Sequence, residues 1–260
     1  MIRPKPIEFI QILKSTLDSN GIDHCRIIKE LGQIKAYDDR KAGRIFVMRD
    51  HIRGLILSLL SGMKDWGTIS RQLTQIDNIF FNYDPARLLQ ADPKHLAQSI
   101  KAIKCGNLQI RLQMDSLKAN IETLLQIDAD YGTIDTFVVS RSAFEIATVF
   151  SEADSPYKLR RIGLPLALEY LRNVGISTAK PDRHILRVLS HERLRFFDRN
   201  PTMKEACDFI DDLALESGQI STYVDNLLWM FCAKSYGNIC SASPKCNRCG
   251  FRTTCSYPTM

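Results

Sequence analysis

Apolar residues recur at three- and four-residue spacing along almost the whole chain, and that period leaves room for little except helices. Phe9, Ile10, Leu13 and Leu17 mark it within residues 6–31. Residues 51–60 are apolar enough to require a helix buried on most sides. Residues 67–76 read as another helix. Asp84-Pro85 and Asp92-Pro93 each pair a capping carboxylate with a proline suited to a first helical turn, and the second helix runs to about residue 103. Further helices are expected over 109–127, over 140–149 with Ser140 as cap, and over 164–173, 183–190, 201–217 and 220–234. Only residues 44–48 have any strand character, and no solenoid repeat or low-complexity tract interrupts the pattern. The fold class is therefore all-α.

A chain of 260 residues can bury a substantial core and hold one large or two small domains. No apolar run reaches the ~18 residues needed to span a bilayer, and the N-terminus has no signal-peptide pattern. The net charge of +6 permits a polyanionic partner without requiring one. Its placement is more telling. Lys158, Arg160, Arg161, Arg172, Lys180, Arg183 and Arg187 crowd one segment that could face phosphates.

Four of the eight cysteines form the run Cys240-x5-Cys246-x2-Cys249-x5-Cys255. Short loops bring such thiols together at low entropic cost, and soft thiolates select Zn²⁺ or an iron–sulfur cluster. Two disulfides are the plainer alternative, but nothing in the chain looks secreted. Cys25, Cys105, Cys207 and Cys232 are scattered and read mostly as small buried hydrophobes in a reducing, intracellular setting, cytoplasm or nucleoid.

Two local phrases carry chemistry. Leu159-Arg160-Arg161-Ile162-Gly163-Leu164-Pro165 lies between two helices and could turn backbone N–H groups toward a phosphate. Taken alone, its glycine could be only a helix cap. Further on, Lys180-Pro181-Asp182-Arg183-His184-Ile185-Leu186-Arg187 sets Asp182 at a helix start. It is either a simple N-cap or a carboxylate able to stabilise a cation or activate a water.

The turn, the Asp-x-His-Ile-x-Arg phrase and the four-cysteine tail, in that order, resemble the helix-hairpin-helix DNA glycosylase superfamily, most closely its endonuclease III-like iron–sulfur branch. Leu171-Arg172-Asn173-Val174-Gly175 with the following Asp182 phrase is also similar to archaeal-type 8-oxoguanine glycosylases. The resemblance spans roughly residues 45–255.

The resemblance implies a two-lobed fold. One lobe would be a helical barrel over 46–175 ending in the hairpin, and the other would be 1–45 with 176–260, carrying the Asp182 helix and the cluster loop. Asp182 would be catalytic. Cys240, Cys246, Cys249 and Cys255 would hold a [4Fe–4S] cluster, with Zn²⁺ as the alternative. Arg161, Ile162, Gly163 and Leu164 would grip the DNA backbone, and Lys180, Arg183, Lys245, Arg248 and Arg252 would face it. Met63 would fill the gap left by a flipped nucleotide, although a Met beside an apolar helix also suits a core. Trp66, Tyr83, Trp229 and Phe231 are candidates for stacking on the base.

Three departures refine this picture. Bifunctional members carry a lysine where this chain has Pro165, so hydrolysis without strand cleavage is implied. Arg161 replaces the first hairpin glycine. The first cysteine gap is five residues, one short of the usual six. The expected activity is excision of a damaged or modified base from double-stranded DNA, by a monomer that does not associate with membranes. The rival readings are a non-catalytic DNA-binding or sensing protein with a structural metal loop, and a Zn-ribbon scaffold unrelated to DNA.

Overall fold

The computed structural model describes residues 4–257, which are helical with no strand among them. In chain order the first helices are α1 (Pro6–Ser19), α2 (His24–Leu31), α3 (Gln33–Lys41), α4 (Met48–Ser61) and α5 (Trp66–Ser70). They are followed by α6 (Leu73–Ile79), α7 (Pro85–Gln90), α8 (Pro93–Ala102), α9 (Ile110–Tyr131) and α10 (Ile134–Val138). The last five are α11 (Ala143–Ser151), α12 (Leu164–Asn173), α13 (Arg183–Leu189), α14 (Met203–Glu216) and α15 (Ser221–Cys232). Among the described residues no helix is long and apolar enough to cross a membrane.

Most of these starts are written locally. Asp84 accepts from the Arg87 N–H at 3.1 Å and Asp92 from the Lys94 N–H at 3.0 Å, each just before its proline. Elsewhere the structure corrects the sequence-based expectations. Residues 6–31 form two helices broken at 20–23, and 67–76 form parts of α5 and α6. The helix expected from Ser140 begins at Ala143. Ser142 caps it, with its Oγ accepting from the Glu145 N–H at 3.3 Å while its own N–H donates to the Glu145 carboxylate at 3.0 Å. Residues 44–47 form no regular element and Met48 opens α4, so the strand character expected over 44–48 is not realised.

The chain divides into two compact units, Met1–Ile34 with Ser177–Met260, and Lys35–Ile176. In the second, α4 is the central element. Leu55, Ile56, Leu59 and Leu60 are fully buried, and α4 packs against α12, α9 and α10. Each such side chain contributes about 1.5–3 kcal/mol by leaving water.

A polar knot crosses this core. His51 Nδ1 lies 2.6 Å from the Tyr170 hydroxyl and its Nε2 lies 3.2 Å from Asp135. Arg40 pairs with Asp135 at 2.6 Å and donates to the Val174 carbonyl at 2.7 Å. This ties α3 and α10 to the C-terminal end of α12.

In the first unit, α15 packs against α1, α13 and α14. Phe9 of α1 meets Phe251 of the cysteine segment, with ring centroids 5.0 Å apart.

Candidate functional site

The unit Lys35–Ile176 contains the hairpin. Leu159 and Ile162 are buried and anchor it, while Arg160, Arg161 and Gly163 are exposed. Asn120, itself buried, clamps Arg160 at two points. It donates to the carbonyl at 3.0 Å and accepts from the N–H at 2.6 Å. The Lys158 ammonium donates to the Ile162 carbonyl, and burial lowers its pKa.

Between these anchors Arg161 has φ +62°, the left-handed conformation that costs a side-chain-bearing residue on the order of 1 kcal/mol. Gly163 then caps α12. A Cβ placed on it would meet only Pro165 Cδ, at 3.9 Å. Nothing within the chain therefore requires glycine there, whereas close approach of an outside backbone would. In the first turn of α12 the Leu166 N–H donates to the Gly163 carbonyl at 2.9 Å and Pro165 carries no N–H, which leaves the Leu164 N–H without a carbonyl four residues back in the helix. Pro165 fits this first turn, which needs no N–H from it.

Three segments meet beside the hairpin. The Leu59 carbonyl accepts from the Asn107 side chain at 2.9 Å and from Gln113 at 3.0 Å, and Ser58 Oγ donates to the Leu166 carbonyl at 2.5 Å. The turn after α4, the loop before α9 and the first turn of α12 are thereby joined. Met63 stands on that first turn, 82 % exposed and at φ +58°. This excludes the core alternative for Met63. Leu108, 89 % exposed, stands on the second segment. Sequence reasoning passed over Leu108. The available signal was an apolar residue inside a Gly-Asn turn, where burial gives it no reason to be.

Two of the expected stacking residues are in fact core. Tyr83 is buried, stacks on Phe80 and donates its hydroxyl to Asp77, with burial raising its pKa further. Phe231 is buried against Phe251. Trp229 is half-buried against Tyr236, and Trp66 is half-buried with its indole nitrogen lacking a hydrogen-bond partner. Arg172 is 3 % exposed and so cannot belong to a phosphate-facing surface.

The other unit holds Asp182. Its approach strap is pinned to α15: Thr178 and Thr222 exchange bonds at 3.2 and 3.1 Å, and the Lys180 N–H donates to the buried Asp225 at 2.8 Å. Asp182 then caps α13, with Oδ1 accepting from the His184 and Ile185 N–H groups at 2.7 and 3.2 Å. Oδ2 accepts no bond among the described residues. Capping and chemistry are therefore compatible, because Oδ1 alone anchors the half-buried carboxylate. His184 has its pKa lowered by burial, with Arg187 and Arg183 adding to the effect and Asp182 opposing it. Arg183 is exposed and Lys180 half-buried.

Cys240, Cys246, Cys249 and Cys255 line one recess together with Arg193 and Tyr257. The loop is held on α1. The Gly250 N–H donates to Thr16 Oγ1 at 3.2 Å, and a Cβ on Gly250 would lie 2.5 Å from that oxygen, so glycine is required. Asn20 accepts from the Arg248 guanidinium and donates to the Arg248 carbonyl at 3.1 Å. Arg248 is exposed, as is Arg252, and Lys245 is half-buried.

The Cys240 thiol is lowered to about 7 by a bond from Cys232, against the effect of burial and with help from Arg193 and Arg187. Burial pushes Cys249 up to about 12. Among the described residues no group of three or more His, Cys, Asp or Glu side chains is gathered for a single metal ion. The buried Nε atoms of Arg187 and Arg193 lack partners beside these thiols. Four soft donors around one recess, with the Arg187 and Arg193 guanidinium groups beside Cys240, have the chemistry of a thiolate ligand set.

No protein-family model and no curated protein matches the chain. Solved structures do match. One is the Methanocaldococcus jannaschii 8-oxoguanine glycosylase/lyase in complex with a 15mer DNA containing 8-oxoguanine. It has a TM-score of 0.55 and 18 % identity, covering 85 % of this chain and 96 % of that one. A second structure, of the M. jannaschii 8-oxoguanine DNA glycosylase, has a TM-score of 0.53 and 17 % identity over 86 % and 94 % of the two chains. The chain shares the all-α fold of these two structures.

Proposed function

We propose that the protein is a DNA repair glycosylase that extrudes a damaged or modified base and hydrolyses its N-glycosidic bond. The observation that carries this reading is the Asp182 carboxylate, anchored through one oxygen with the other uncommitted. As the bond to the base breaks, positive charge grows on the sugar. A fixed anion stabilises that charge and orients the attacking water. The hairpin at Arg161–Leu164 would hold the distorted backbone through N–H groups and cation, without reading sequence. Met63 and Leu108 would occupy the space vacated by the flipped nucleotide.

Monofunctional chemistry is supported by Pro165 at the position of the lyase lysine. It is supported too by Lys158, whose amine is committed to the Ile162 carbonyl. The four cysteines would hold a [4Fe–4S] cluster whose contribution is structural: it fixes the loop bearing Lys245, Arg248 and Arg252. The lesion named for the archaeal neighbours makes 8-oxoguanine the first base to test.

The deciding experiment is single-turnover base release on duplexes that each carry one lesion, analysed with and without alkali. Strand breaks only after alkali are expected. Breaks without alkali would refute the monofunctional part. DNA binding with no base release on any duplex would favour the sensing protein instead.

A further inference from the structure

At the turn between α1 and α2 stands a constellation of residues that the proposed function leaves without a role. Cys25 is exposed in the first turn of α2, which corrects its reading as a buried hydrophobe. Its Sγ lies 3.5 Å from Nε2 of His24. The other ring nitrogen, Nδ1, lies 2.9 Å from Oδ1 of Asp18 in the last turn of α1. His24 is 7 % exposed, so its ring is held in place while the thiol beside it stays open to solvent.

We propose that Asp18, His24 and Cys25 form a reactive-thiol site at which Cys25 exchanges with small disulfides. The residues stand in the order that nucleophilic sites require: an attacking atom, a base within reach and a carboxylate that orients the base. With Asp18 accepting the Nδ1 proton, Nε2 is bare and faces the thiol, so His24 takes the Cys25 proton.

Several neighbouring charges have partners of their own. Asp23 caps α2 by accepting from the Arg26 N–H at 2.9 Å, and Arg26 lies 3.8 Å from Glu30. From α15, which also packs on α2, Asp225 accepts from the Lys180 N–H.

The step is balanced. The Cys25 thiolate attacks one sulfur of a disulfide, a new S–S bond forms as the old one breaks, and the leaving thiolate takes the proton from His24. One disulfide replaces another, with the small disulfide as the oxidant. Access along the S–S axis is the main steric demand, and an exposed thiol provides it.

The test is reaction of the full chain with oxidised glutathione and with 2,2′-dithiodipyridine from about pH 5.5 to about pH 9. Occupancy at Cys25 is read by mass spectrometry of its peptide, which separates it from the other seven cysteines. At about pH 6.5 Cys25 should react about tenfold faster than free cysteine. His24→Gln should remove most of that advantage and move the rate profile to higher pH. Asp18→Asn, at an exposed carboxylate, should slow the reaction about threefold. The site is refuted if Cys25 reacts at the rate of free cysteine, or if Asp18→Asn, folded by its melting curve, leaves both rate and pH profile unchanged.

Discussion

Arg187 donates from Nη2 to the backbone carbonyl of Cys240 at 2.9 Å, and the same nitrogen lies 3.1 Å from His184 Nδ1. Since α13 starts at Asp182, this one guanidinium fastens the helix of the candidate catalytic carboxylate to the first cysteine of the loop. Arg187→Ala should cost about 2–3 kcal/mol, the usual worth of a part-buried charged hydrogen bond. With the proposed [4Fe–4S] cluster in the loop, it should also lower the iron retained per chain. Thermal melting and iron assay check both effects, and an unchanged melting point would deny the tie.

Asp182→Asn should preserve the fold, because Asn caps helices as well as Asp does. Base release should fall by about 10²–10³ for loss of the anion. Binding to lesion-bearing duplex should persist, as measured by anisotropy beside single-turnover release.

Arg161→Gly separates the backbone role of this position from its charge. The φ of +62° becomes unstrained, which offsets the greater freedom of glycine in the unfolded chain. Stability should change by no more than about 1 kcal/mol. The slope of log affinity against log salt should shrink by about one. An unchanged slope would mean that Arg161 touches no phosphate.

Met63→Ala and Leu108→Ala remove side chains that bury almost nothing, so melting should hold to within about 0.5 kcal/mol. Excision of a mispaired lesion should drop about tenfold if these residues support the flipped state, since unstacking costs a few kcal/mol. Binding to undamaged duplex should barely change.

Asp135 titrates low, at about 2. Burial alone would raise it, but His51 and Arg40 outweigh that effect. The folded value lies below the unfolded one, so the stabilisation is complete above about pH 4 and is lost as pH falls toward about 2. Its size is on the order of 2 kcal/mol. Circular dichroism should show acid unfolding of the wild-type chain steepening in this window. Asp135→Asn should lack that component and be destabilised already at neutral pH, because Arg40 and His51 lose their partner.

Sequence by itself determined what depends on neighbours within one helical turn. The Asp-Pro starts of α7 and α8, the bounds of α12 and the capping position of Asp182 follow from side chains reaching their own backbone. The run of four cysteines marked a soft-donor loop for the same reason. Tertiary structure alone decided which side chains face outward. Met63 and Leu108 stand exposed while Tyr83, Phe231 and Arg172 are buried, because the rotation of a helix about its axis is set by what packs on every side. It also brought Asp18 to His24 and Arg187 to Cys240, contacts that exist only once a turn has closed or separate segments have docked.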